Sequence, residues 1–282
     1  MIYIRSIFIA LLFLGGCSAL RLSYQEADTL LSWRANQYFD LNQEQKKDLQ
    51  ERLQRLLTWH RYQQLPEYAN FLTIAVHKAQ TDLKRDDIVW FMDGIKARYR
   101  TIVDYGVADA ATMLKTLSSE QIEVLQKQWD KDNRNFIREH GLDDTPTARR
   151  QARLKLKLKE IEDWTGNLNR PQERQIALLL DQVPNEDELR YKERLRRQQE
   201  FLFLLKMRGD KLGFQTRLHE WLADWEQGRS PEYQRQANDA YEKYIQFYIG
   251  VEKVLAADQR LRALQRLQQY ADDCRSLSQR TQ

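Results

Sequence analysis

Apolar residues return every three or four positions along nearly the whole chain, and this regularity most limits what the sequence can fold into. Leu49, Leu53, Leu56 and Leu57 share a helical face, as do Ile122, Leu125, Trp129 and Phe136. The series recurs in Phe214, Leu218, Trp221, Leu222 and Trp225, and again in Ala237, Tyr241, Tyr244, Tyr248, Val251 and Leu255. With charges between them, such residues describe amphipathic helices packed on one another. Turn-formers are scarce, ten Gly and five Pro in 282 residues, which argues against a sheet-rich fold. One stretch, Leu154-Lys155-Leu156-Lys157-Leu158, alternates like a strand, but the spacing of Leu154, Leu158 and Ile161 favours helix. The expected fold is all-α, about nine or ten amphipathic helices in one array or bundle with no sheet.

The breaks are legible too. Leu65-Pro66, Gly141 to Pro146, Gly166 to Pro171, Val183-Pro184 and Gly228 to Pro231 punctuate the pattern. Asn185-Glu186-Asp187-Glu188 and Ser230-Pro231-Glu232 read as helix N-termini, with a capping residue and then acids or Pro in the first turn. Composition narrows the class further. Seven Trp, thirteen Tyr and ten Phe exclude a chain that buries nothing. A mean hydropathy of −0.74 with one long apolar stretch, at the start, excludes a polytopic membrane protein.

That stretch sets the compartment. Met1 to Arg5 form a short basic segment, Ile7 to Leu14 an apolar run, and Gly15-Gly16-Cys17 come next. The run is too short to cross a hydrocarbon layer of ~30 Å and reads as an export signal. Leu14-Gly15-Gly16-Cys17 resembles the lipobox of bacterial lipoproteins. The resemblance implies cleavage between Gly16 and Cys17 and covalent lipid on Cys17, with no other cofactor. Ser18 in place of Asp favours transfer to the outer membrane, periplasmic face. The expected organisation is a signal peptide over 1–16, a lipidated Cys and short tether over 17–23, and a single helical domain over 24–282. Two subdomains meeting near 141–147 are the alternative. With Cys17 lipidated, Cys274 has no partner for an internal disulfide; burial in the last helix is expected, and an intermolecular bridge is the alternative.

Four segments share a pattern of Leu followed four positions later by Gln. They are Leu41 to Gln45, Leu117 to Gln121, Leu168 to Gln172 and Leu255 to Gln259. In the first three, Asn42, Ser118 and Asn169 stand where a capping oxygen accepts the N3 amide, and Gln at N3 is able to bond back. Ala256 lacks a capping oxygen, so the fourth helix is expected to continue from the one before it. Irregular intervals argue against a solenoid and allow four independent helix starts. The pattern resembles the Leu-Thr-x-x-Gln motif of the Spy and CpxP periplasmic chaperones, small helical proteins whose concave face holds unfolded envelope proteins. A second resemblance is to an uncharacterised family of Gram-negative, mostly proteobacterial lipoproteins. It is carried by the lipobox, Leu20 to Tyr24, Trp59-His60-Arg61, Leu65 to Ala69 and Leu264 to Ala271. Arg100 to Tyr105 resembles a short motif of the membrane-anchored lipase foldases.

Catalytic patterns are thin. His60, His77, His140 and His219 have no metal-ligand spacing, so no metal site is expected. His60, on an aromatic helix face, is read as structural rather than as a general base. Asp86-Asp87, Asp143-Asp144 and Asp272-Asp273 are neighbours that diverge on a helix, and solvation at helix ends explains them. Arg149, Arg150, Arg153, Lys155, Lys157 and Lys159 form a basic stretch, followed by Arg190, Lys192, Arg194, Arg196 and Arg197. Either run is a solvated face or a contact for anionic phospholipid, lipopolysaccharide, cell wall or acidic protein. Export argues against nucleic acid. The expected protein is non-enzymatic, held to the membrane by its lipid and binding envelope proteins in a chaperone- or adaptor-like way. The alternatives are docking on one specific envelope complex or anionic surface and, more remotely, a cell-envelope hydrolase.

Overall fold

The computed structural model describes residues 17–210 and 213–279, with side chains from residue 20 onward. The signal segment 1–16, the cleavage position at Gly16 and the Cys17 thiol lie outside the described residues. Among those residues there are twelve α-helical segments, one π-helical turn and no strand. They are α1 (Cys17–Gln25), α2 (Ala27–Phe39), α3 (Gln43–Trp59), α4 (Leu65–Lys78), α5 (Arg85–Lys115) and α6 (Ser119–Glu139). Next come α7 (Pro146–Thr165), α8 (Arg170–Asp181), α9 (Asp187–Lys206), α10 (Gly213–Ala223), α11 (Pro231–Val254) and α12 (Ala257–Gln279). The alternating Leu154–Leu158 stretch is helical, within α7.

Local chemistry explains where half of the helices begin. Asn42, Ser118, Thr145, Asn169 and Ser230 each accept the N3 amide of the helix they precede. Asn185 instead accepts from the amide of Asp187, and α9 starts there. Gly166, at φ 80°, ends α7 in a conformation that a side chain would strain.

Three sequence expectations need correction. Segment 17–23 is helical rather than an extended tether, so at about 1.5 Å per residue it holds Cys17 close to the body. Leu65-Pro66 does not break the helix. The Leu65 amide bonds the His60 carbonyl five residues back, and the turn His60–Gln64 widens into a π turn between α3 and α4. Pro66 has no N–H to give four residues back, and the wider turn relieves its ring of that carbonyl. Finally, α12 does not continue α11: Leu255 is extended, at φ −73° and ψ 141°.

The core has three centres. Val107 and Ala111 of α5, Leu125 of α6, Phe201 and Leu205 of α9 and Phe214 and Leu218 of α10 form the first. Ile161 of α7, Ile176 and Leu180 of α8 and Phe247 and Val251 of α11 form the second. Leu65, Tyr68 and Ala69 of α4 meet Cys274 and Leu277 of α12 in the third. The first and third join elements from both sides of the 141–147 loop, and α12 also packs on α1 and α7. The chain therefore does not part into two separable cores at that loop.

Candidate functional site

The four Leu-to-Gln motifs come together as two pairs. Gln45 Nε2 donates to the Thr116 carbonyl at 3.1 Å and to Gln121 Oε1 at 3.0 Å. Gln121 Nε2 answers to the Asp40 carbonyl at 3.1 Å and to Gln45 Oε1 at 2.7 Å. The second pair repeats this arrangement. Gln172 Nε2 donates to the Val254 carbonyl and to Gln259 Oε1, and Gln259 Nε2 to the Asn167 carbonyl and to Gln172 Oε1. In all four cases the carbonyl belongs to the residue just before the partner motif's Leu. Each Gln Oε1 also accepts from the backbone N–H at its own helix start, at Asn42, Ser118, Asn169 and Ala256. Each pair is thus a reciprocal amide clasp that satisfies four backbone groups and ties two helix starts together. Leu41 and Leu117 are buried beneath the first clasp. Leu168 and Leu255 pack on the second hydrophobic centre.

A second cluster gathers at the π turn. Tyr24 of α1 hydrogen-bonds His60 Nδ1 at 2.9 Å and stacks on its ring, while Tyr68 meets the imidazole edge-on. Arg61 lies over the Tyr24 ring. Burial lowers the pKa of His60 to about 4 and raises that of Tyr24 to about 12, the latter against the pull of Arg61. The imidazole is therefore neutral at neutral pH and serves as a hydrogen-bond partner. Between α1 and α12, Arg21 Nε donates to Asp273 Oδ1 at 2.5 Å, and Gln269 Nε2 donates to the same oxygen at 3.2 Å. Asp273 is fully buried, so solvation does not explain it; its carboxylate locks α1 onto α12. Cys274 beside it is buried, and its thiol is pushed up to about 12 by that burial and by the Asp273 charge.

The remaining histidines are dispersed. His77 is exposed, His140 pairs with Asp187 at 3.0 Å, and His219 meets Asp104 at 2.6 Å. No group of His, Cys, Asp and Glu able to hold a metal occurs among the described residues. No described helix is long and apolar enough to cross a membrane.

The basic stretch of α7 is mostly engaged internally. Arg149 pairs with Glu188, Arg150 with Asp181, Lys157 with Glu160 and Lys159 with Asp163. Arg153 donates to the carbonyls of Val183 and Pro184, which leaves Lys155 pointing to solvent. The second basic run behaves likewise: Arg190, Arg196 and Arg197 each meet a carboxylate. Arg149, Arg150 and Arg153 thus staple α7 to α9, α8 and the Val183-Pro184 loop, while the other paired cations meet carboxylates along their own helix, so the two runs do not form one free patch.

Exposed apolar side chains mark two other places that charge and motif reasoning missed. Leu156 of α7 and Leu178 of α8 are 57% and 66% exposed, on two neighbouring helices that Arg150 and Asp181 tie together. Leu22 of α1 and Leu30 and Trp33 of α2 are exposed on consecutive helices, and Trp33 borders an open groove of about 380 Å³ with Asp28, Asn36, Lys46 and Leu49. The signal available in the sequence was apolar residues at helical spacing with no partner series facing them.

No curated protein and no solved structure matches this chain. A family model described as a family of unknown function (DUF6279) matches residues 37–234, well over half the chain. The matched span holds the whole first clasp, the π turn and one arm of the second clasp. By that match the chain belongs to this family of unknown function.

Proposed function

We propose that the protein is a lipid-anchored, non-enzymatic binding protein of the bacterial envelope, held by Cys17 at the periplasmic face of the outer membrane. Its helical surface takes hold of envelope proteins in a chaperone- or adaptor-like way. The anchor reading rests on the lipobox-like Leu14-Gly15-Gly16-Cys17 after a basic start and an apolar run. The binding reading is supported best by the Leu156–Leu178 pair. Leu156 on α7 follows the exposed Lys155, and Leu178 on α8 lies one turn from the exposed Arg174; neither cation has an acidic partner among the described residues. An apolar centre with a basic rim fits chain segments that mix apolar and acidic residues.

The test is suppression of aggregation of a denatured periplasmic protein by the purified chain. Protection at a few-fold excess, reduced in Leu156→Ser/Leu178→Ser, is expected; no protection by the parent chain sinks the reading. Cross-linking in vivo from position 178 separates the two forms of binding. Many trapped proteins fit a chaperone, whereas one dominant product fits docking on a specific complex.

A further inference from the structure

We propose that the α1–α2 face bearing Leu22, Leu30 and Trp33 lies in the headgroup layer of the membrane that holds the protein, so that the body is seated on the lipid surface. The proposal deepens the anchor reading and rests on it. Trp33 is 60% exposed, whereas Trp59, Trp90, Trp129, Trp164, Trp221 and Trp225 are each partly buried in the fold. Leu30 lies one turn before it on α2 at 48% exposure, and Leu22, on α1 beyond the Glu26 junction, is 62% exposed. Tryptophan with flanking leucines is the side-chain set that favours a membrane–water interface, where the ring keeps one edge wet. Lys46 of α3, exposed and lining the same groove as Trp33, supplies a cation at the level where phosphates would sit. Glu26, at the junction of the two helices, and Asp28 of α2 are exposed, which fits an interfacial seat and opposes deep insertion.

The occupant is set by chain order. The face begins five residues after Cys17, and Trp33 lies sixteen residues after it, at most about 24 Å along helix. Nor does the face swing freely on a leash. Arg21 is bound to the buried Asp273, and Tyr24 is bound to His60, so α1 moves with α12 and the π turn. A lipid on Cys17 therefore brings a fixed face of the body to the bilayer. Three apolar side chains added to acyl chains raise membrane affinity and, more usefully, set orientation.

The test uses the full chain in vesicles of phosphatidylethanolamine and phosphatidylglycerol, part of the lipid carrying brominated acyl chains. Trp33 fluorescence should be quenched by the bromines, and Trp33→Phe should lower total tryptophan quenching about threefold, since the other six lie within the fold. Equal quenching in parent and Trp33→Phe overturns the proposal, as does unhindered access of aqueous iodide to Trp33 in vesicles. A blue shift of Trp33 that appears with protein concentration in the absence of lipid assigns the face to a second copy, and also overturns it. The mass of the Cys17 peptide tests the anchor separately. With Cys17→Ala, sedimentation with the same vesicles should remain detectable and fall about tenfold in Leu22→Ser/Trp33→Ser. Absence of acyl mass with retained sedimentation would remove the lipid anchor and keep the seat. Acylation with no contribution from the face would do the reverse.

Discussion

The two clasps are built on one plan and differ in how they meet water. In the first, both arms have a side-chain cap, Asn42 and Ser118, and Gln121 remains partly exposed. In the second, Gln172 and Gln259 are both buried, and one arm starts at Ala256, which has no capping oxygen. The second clasp therefore leans more on the Gln–Gln contact itself. Where water is excluded, the amide of one side chain has to satisfy backbone groups that nothing else reaches. Comparing the clasps thus separates capping within one helix from coupling between two.

The sharpest way to break this comparison is to delete one amide from each. Gln259→Ala leaves the Asn167 carbonyl, the Ala256 N–H and the Gln172 amide short of partners in a buried setting, and should cost about 4 kcal/mol in urea unfolding. Gln121→Ala should cost about half as much, because water reaches that site. Equal losses would show that burial does not distinguish the two clasps.

A second contrast lies in the fate of each clasp's first helix. Behind Gln45 the helix passes Pro66 through the π turn that houses His60, whereas behind Gln172 it stops at Gln182, before Pro184. Only the first arrangement should carry a histidine-linked pH response in this region. Folded His60 has its pKa lowered from 6.5 to about 4, so between those values the unfolded chain binds a proton that the folded chain does not. Stability is then full above about pH 6.5 and declines as pH falls towards 4, by roughly 3 kcal/mol. Hydrogen exchange in α3–α4 as a function of pH should show this decline, and His60→Gln should flatten it. An unchanged slope in that variant would assign the acid sensitivity elsewhere.

Glycines at close helix contacts sharpen the comparison further. A Cβ on Gly94 would meet the Phe71 ring at 2.3 Å, and that ring is held by Trp90, Phe91 and Arg98. A Cβ on Gly250 would meet the end of Leu179 at 2.8 Å, a flexible side chain. Gly94→Ala should destabilise by about 2 kcal/mol, and Gly250→Ala by about 1 kcal/mol or less, read as shifts of the thermal midpoint. The smallest effects concern the caps. Ser118→Ala should cost about 1 kcal/mol, while Ala256→Ser should gain about 0.5 kcal/mol by giving the fourth helix start the oxygen it lacks. If Ala256→Ser gains nothing, the Gln259 N–H needs no capping oxygen at that terminus.

These contrasts also show how far the sequence was legible. The helical period, the breaks at Gly166 and Gly228 and the caps at Asn42, Ser118, Asn169 and Ser230 depend on groups within four residues of one another, so the order of residues along the chain is enough to read them. Pro66 misled because a widened turn is a local alternative to a break, and which one wins depends on the packing around His60. Asp273 has the sequence setting of a solvated helix-end acid, and only the approach of Arg21, far away in the chain, gives it a buried role.

The residue order alone therefore determined an all-helical chain with well-made helix starts and a lipobox-like beginning. The tertiary structure decided that Gln45 meets Gln121 and Gln172 meets Gln259, that the α7 cations are largely consumed by neighbours, and that Trp33 is left exposed. The reason is one of range. Periodicity and capping act within a turn of helix, whereas pairing across 76 or 87 residues depends on which faces the packed helices bring together.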